Sequence, residues 1–192
     1  MLDTLSEVLR AIRLTGAVFF AVDASAPWVA EAPSAHEIGP FIMPGVEHVI
    51  EYHVVTAGSC WGGVVGEPAI RLEAGDVIVF PQGDPHVISS APGMRAQLDL
   101  TPFERAGQSP IPIAISIDGG GSERTQMICG FLGCDARPFN PLLATLPRVM
   151  HLRGSAENSS ISRNLLELAV AESAAPKPGS ECLLSRLSEL LF

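Results

Sequence analysis

The stretch Gly75–His86, GDVIVFPQGDPH, decides how this chain is read. An apolar run, Val77–Phe80, has the length and β-branched content of a buried strand. Gly75-Asp76 before it makes a tight turn. Pro81 ends the strand, and Gly83 supplies a corner that needs φ > 0. His86 then starts a returning strand and is aimed inward. The histidine has three readings: a metal ligand, an acid/base, or a polar residue finishing the turn.

Short β-like segments flank this stretch: Gly16–Asp23, Glu47–Thr56, Cys60–Val65, Ile70–Leu72, Ala96–Leu100 and Thr125–Leu132. Ile113–Ile117 is a further short candidate. Gly/Pro turns at close spacing separate many of them, which predicts an antiparallel sandwich or barrel. Leu5, Val8, Leu9 and Ile12 share one face of a short helix over residues 3–13. After residue 150 the pattern changes. Ile161–Ala174 reads as a helix, APKPGS (175–180) as a breaker, and Ser180 as the cap of a second helix carrying Leu183, Leu184, Leu187, Leu190 and Leu191. The expected division is a β domain over 1–150 and a helical segment over 151–192. The closing LSELLF leaves an apolar face at the end of the chain. Three readings of it are a longer parent protein, a partner subunit, and packing on the chain's own β domain.

Composition narrows the function. The 192 residues carry 21 acids against 12 bases, a net charge of −9, with no basic run. This segment is on that ground a poor nucleic-acid binder, because phosphate neutralisation needs clustered Lys and Arg. No stretch reaches the roughly 18 apolar residues of a membrane helix, and the charged N-terminus is unlike a signal peptide. A cytoplasmic protein with reduced cysteines is expected. There is no P-loop or dinucleotide fingerprint, and Gly58-Ser59-Cys60 lacks the following helix of a nucleophile elbow.

The candidate ligands come from register. A two-residue turn at Ala57-Gly58 would pair Val55 with Cys60 in a hairpin. Glu51, His53, Val55 and Cys60 then share a face. His86 arrives on that side, and Cys129 can join from Thr125–Leu132. His53, Cys60, His86 and Cys129 form a set suited to tetrahedral zinc. The plain alternative is that all four are packed core residues. Glu51, Trp61 and Phe80 are candidates for an effector pocket, although Trp28, Trp61 and Phe80 read first as core. Cys134 and Cys182 read as small apolar residues, and His36, His48, Arg71 and Arg95 as solvated. His151 is ambiguous.

The spacing Gly75, five residues, Pro81, one, Gly83, two, His86 resembles the second motif of the cupin superfamily, with Ser90 where that motif ends in asparagine. Glu51 to Gly58 resembles the tail of the first motif, whose histidine pair is missing here. More widely, the phrases YHVVTAGSCW, RLEAGDVIVFPQGDPHVIS, MICGFLGCD and NPLLATLPRVMHLRG resemble, in order, the N-terminal cupin domain of AraC-type transcriptional regulators. The resemblance implies a mainly β cupin jelly-roll barrel with a short N-terminal helix and a C-terminal helical hairpin. It also implies a role as effector-sensing module. A small-molecule effector would sit in the barrel, a homodimer would form through the C-terminal helices, and DNA would be contacted only by a downstream domain. The alternative is a small metal-dependent cupin enzyme of dioxygenase or isomerase type. The missing histidine pair counts against it, and the thiols favour zinc over redox iron.

Overall fold

The computed structural model describes residues 15–106, 112–134, 143, 145–154, 160–175 and 177–191. The helix expected over 3–13 lies outside them. In chain order the elements are β1 (Thr15–Ser25), β2 (Val29–Ala32), α1 (Ala35–Ile42), β3 (His48–Ala57), β4 (Ser59–Val64), β5 (Ile70–Glu73) and β6 (Val77–Phe80). They continue with β7 (His86–Ser89), α2 (Thr101–Ala106), β8 (Ile113–Asp118), β9 (Arg124–Cys134), β10 (Met150–Leu152), α3 (Ser160–Ala174) and α4 (Ser180–Leu191). A six-stranded sheet in the order β10-β6-β3-β9-β1-β8 faces a four-stranded sheet in the order β2-β7-β4-β5. This is the expected jelly roll, and α3 and α4 follow the strands as read.

Strand β3 shows why the large sheet reads as continuous apolar sequence. Val49 and Val55 pack into the core between the sheets, with Phe20, Ile78, Phe80, Met127 and Phe131. Ile50, Tyr52 and Val54 alternate with them and pack on the other side, against Ala169 of α3 and Leu184 and Leu187 of α4. A strand buried on both faces loses the usual polar alternation. The edge strand β8 keeps it, with exposure alternating at every residue.

Two expectations are corrected here. The first is the β3–β4 hairpin. These strands do not pair: β3 lies between β6 and β9, and β4 between β5 and β7. Gly58, at φ +75°, turns the chain out of one sheet and into the other. A side chain there would meet the Arg124 carbonyl oxygen at 2.1 Å, so the corner admits only glycine. The second is Ala96–Leu100, which is not a strand and runs as irregular chain into α2. Ala96, Gln97 and Asp99 of this segment lie at the barrel mouth without a partner strand. The sequence reading also passed over β2 and α1. In α1 the Glu37 carboxylate accepts from the Ser34 backbone N–H (3.0 Å) and hydroxyl (2.7 Å), a start signal that Pro40 obscured.

Leu184 and Leu187 are buried against the chain's own sheet, while Leu168, Leu183 and Leu190 are exposed. Of the three readings of the terminal apolar face, packing on the β domain accounts for the first pair. No helix among the described residues is long and apolar enough to cross a membrane.

Candidate functional site

The inner face of β3 carries Glu51 and His53 among its apolar neighbours. Cys129 is the register partner of His53 on β9. His86 opens β7 between Val64 and Ala32. Its placement follows from the corner before it. Gly83 N–H donates to the Phe80 carbonyl at 3.0 Å, folding the chain so that the Phe80 and His86 rings stack, 3.8 Å apart and 14° from parallel. Gly83 has the expected positive φ, +66°.

The His53 and His86 Nε2 atoms lie 2.7 Å apart. One must donate, and the rest of the geometry says which. His86 Nδ1 is 3.0 Å from the Asp84 carbonyl oxygen, so it carries hydrogen and donates. Neutral His86 then accepts at Nε2, His53 donates from Nε2, and His53 Nδ1 is a bare lone pair. That atom has no hydrogen-bond partner. Burial holds both rings neutral, pushing His53 well below the ordinary imidazole range and His86 to about 4. Glu51 Oε2 is 3.9 Å from His86 Nε2, and Glu51 Oε1 is buried without a partner. Burial raises the Glu51 carboxyl well above the carboxylate range.

The other expected site residues divide. Cys60 and Cys129 are buried in the same core. Burial first, then the Asp76 charge, pushes the Cys60 thiol up to about 12, and burial raises Cys129 as well. Among the described residues no three His, Cys, Asp or Glu side chains are gathered closely enough to hold a metal ion. The expected four-ligand set is therefore represented by its two histidines in contact. Phe80 is fully buried behind His86. Trp61 turns away from the barrel interior and lines a separate surface cleft of about 630 Å³ with Arg71, Glu73 and Arg124.

A cavity of about 230 Å³ opens beside the histidine pair. Glu51, His53 and His86 line one side, and Phe20, Ile88 and Phe131 are among its apolar walls. The irregular segment before α2 covers its mouth through Gln97 and Asp99, and α2 through Phe103. Arg95 fastens this segment with two hydrogen bonds to the Glu31 carboxylate, at 2.8 and 2.6 Å. Sequence reasoning missed this covering, because Arg95 looks like any solvated arginine until β2 brings Glu31 beside it.

The remaining polar residues of GDVIVFPQGDPH all hold the segment that leads into α3. Asp76 accepts from His151 Nε2 at 3.0 Å and from the Gly154 N–H at 2.8 Å. Gln82 donates to the carbonyls of Leu143 and Leu146, at 2.9 and 3.1 Å. Arg148 donates to both Asp84 oxygens, at 3.1 and 2.7 Å, and also pairs with Glu67. The ambiguous His151 is thus a partner of Asp76. His48, read as solvated, instead donates to the Pro81 carbonyl at 2.7 Å. Cys182, read as a small apolar residue, is exposed.

A family profile described as cupin covers residues 3–192. No curated protein matches. Among solved structures, apo ToxT from Vibrio cholerae strain SCE256 aligns with a TM-score of 0.42 and 10% identity over 94% of this chain. The chain spans 54% of that ToxT chain. A protein from Ralstonia eutropha JMP134 carrying the name mannose-6-phosphate isomerase aligns with a TM-score of 0.26 and 14% identity, over 66% of this chain and 77% of its own. Both are too distant to bear on what the chain does.

Proposed function

From the premise that the chain belongs to the cupin family, we propose that it is the effector-sensing and dimerisation domain of an AraC-type transcriptional regulator. A small molecule occupies the barrel, and DNA is contacted by a further domain of the whole protein. The setting is cytoplasmic. One observation carries the reading: a single stretch, Gly75–His86, reaches the cavity through His86 and grips the approach to α3 through Asp76, Gln82 and Asp84. A ligand that displaces His86 acts on the Asp84 carbonyl, two residues along the chain. The Asp84 side chain holds Arg148. Such a ligand shifts the helices only as far as it binds one arrangement better than the other.

Leu184 and Leu187 are occupied within the chain, so the homodimer surface is assigned to the exposed Leu168, Leu183 and Leu190. The test is a fusion to a DNA-binding domain that binds its operator only as a dimer. The fusion should bind, and Leu183→Ser with Leu190→Ser should abolish binding without unfolding the chain. A fusion that stays monomeric at micromolar concentration overturns the reading.

Zinc in the barrel is a second reading, favoured by the two imidazole nitrogens facing each other at 2.7 Å. Two imidazoles and two thiols suit zinc chemically. In this arrangement the His53–His86 hydrogen bond occupies both Nε2 atoms, and among the described residues His53, Cys60, His86 and Cys129 do not converge as a set, so zinc would require the two rings to part. Elemental analysis decides: one zinc per chain, lost in His86→Ala and in Cys60→Ala, establishes it, and folded metal-free protein sinks it. The enzyme alternative has no supporting observation beyond the fold.

A further inference from the structure

The cavity specifies more than a small molecule. Its lining residues include three that carry a buried polar atom with no partner: His53 Nδ1, Glu51 Oε1 and Trp28 Nε1. Most buried polar groups in proteins are paired, so three on one cavity call for an account. His53 Nδ1 is a lone pair and needs a donor. The Trp28 indole N–H needs an acceptor. The walls around them are apolar, and among the described residues no Lys or Arg lines the cavity, whereas Glu31, Glu51 and Asp99 do. An anion finds no counter-charge there and meets carboxyl groups. An ammonium would be stripped of water for little return, because Glu31 is already paired with Arg95, Asp99 accepts from the Thr101 N–H, and burial favours the neutral Glu51 carboxyl.

Resting on the barrel as the effector pocket, we propose that its ligand is a small uncharged hydroxyl compound with an apolar ring or short hydrocarbon body, of the size and kind of a simple phenol. The hydroxyl hydrogen goes to His53 Nδ1, and its lone pairs accept from the Trp28 N–H or the Glu51 carboxyl. The body lies against Phe20, Ile88 and Phe131. The size follows from the volume. An apolar cavity of about 150 Å³ takes benzene, so about 230 Å³ takes a substituted ring. Entry is past Arg95 and Phe103.

The experiment is a thermal-unfolding panel on the 192-residue chain with p-cresol, benzoate and benzylamine, three rings of one size and three charges. At saturation p-cresol should raise the midpoint by about 3 °C or more, and the two ions should raise it by less than a third of that. Glu51→Leu and His53→Phe should each weaken p-cresol about tenfold or more. Should either fail to fold, Ile115→Phe, which fills the cavity from the edge strand, should abolish the shift. No response to p-cresol, or an equal response to benzoate or benzylamine, overturns the ligand class and leaves the regulator reading standing. Binding of p-cresol by a chain whose dimer fusion fails upholds the ligand class and overturns the regulator.

Discussion

The two faces of the six-stranded sheet are built from the same strands and serve different ends. On the outer face, Ile50, Tyr52, Val54, Val79, Ile128 and Leu132 meet α3 and α4 in an apolar layer. On the inner face, one residue further along β3 each time, Glu51 and His53 interrupt the apolar row beside a cavity. The outer face minimises free energy. The inner one retains unsatisfied polar atoms that an apolar side chain would avoid. The difference teaches where stability stops being the criterion: a strand that buries Ile50, Tyr52 and Val54 on one side has no structural need for an unpartnered glutamate and histidine on the other.

The comparison breaks first at Leu184. If the outer face is the stabilising one, Leu184→Ala should cost about 2–5 kcal/mol, because a fully buried leucine leaves a cavity under α4. Urea unfolding measures it, and a loss under about 1 kcal/mol would mean that the helices are held elsewhere.

Asp76 comes next. Removing its charge in Asp76→Asn should cost about 1–3 kcal/mol, since its carboxylate accepts from Gly154, His151 and Glu73. Burial opposes ionisation, yet the hydrogen bonds from Gly154, His151 and Glu73 together hold its pKa below the usual carboxylate value. A depressed carboxylate stabilises the fold above its unfolded pKa, and that contribution is lost as the pH falls through the folded one. The gap between wild type and Asp76→Asn should therefore close as the pH drops below the ordinary carboxylate range. A gap that widens on acidification reverses the sign and refutes the assignment.

Glu51→Leu tests the inner face with the opposite sign. Replacing an unpartnered buried carboxyl by an apolar group should leave stability unchanged or raise it by about 1 kcal/mol. Calorimetry reads this directly, and a loss above about 2 kcal/mol would show that Glu51 is satisfied. The smallest effect on stability belongs to Arg95→Ala, because the arginine is largely solvated and solvent screens its pair with Glu31. Its sharper readout is the ligand's on-rate, which should rise when the covering segment is unfastened. An unchanged rate would place the entry elsewhere.

Much of this was legible in sequence. The GDVIVFPQGDPH corner, the β-rich pattern and the C-terminal helices all follow from glycine and proline positions and from periodicity, which are local properties. The inward face of β3 was legible as well, because Glu51, His53 and Val55 alternate strictly. Pairing was not. Ala57-Gly58 has the local chemistry of a hairpin turn, and only the backbone of Arg124 passing close to Gly58 makes it a corner between sheets. For the same reason Cys60 could be placed in the core from sequence but not beside His53. The C-terminal apolar face had three readings in sequence, and only the outer face of the large sheet, which needs a cover, shows that Leu184 and Leu187 pack on the chain itself.

What the sequence by itself determined is therefore the inventory: a cupin corner, a buried histidine on each side of it, and helices with an apolar stripe. The tertiary structure alone decided which of these meet. His53 and His86 are 33 residues apart along the chain and touch because β3 and β7 belong to facing sheets. Asp76, Gln82 and Asp84 acquire partners some 60 to 80 residues downstream. Long-range contacts depend on strand order, and strand order is set by the cooperative burial of two sheet faces, which no local pattern records.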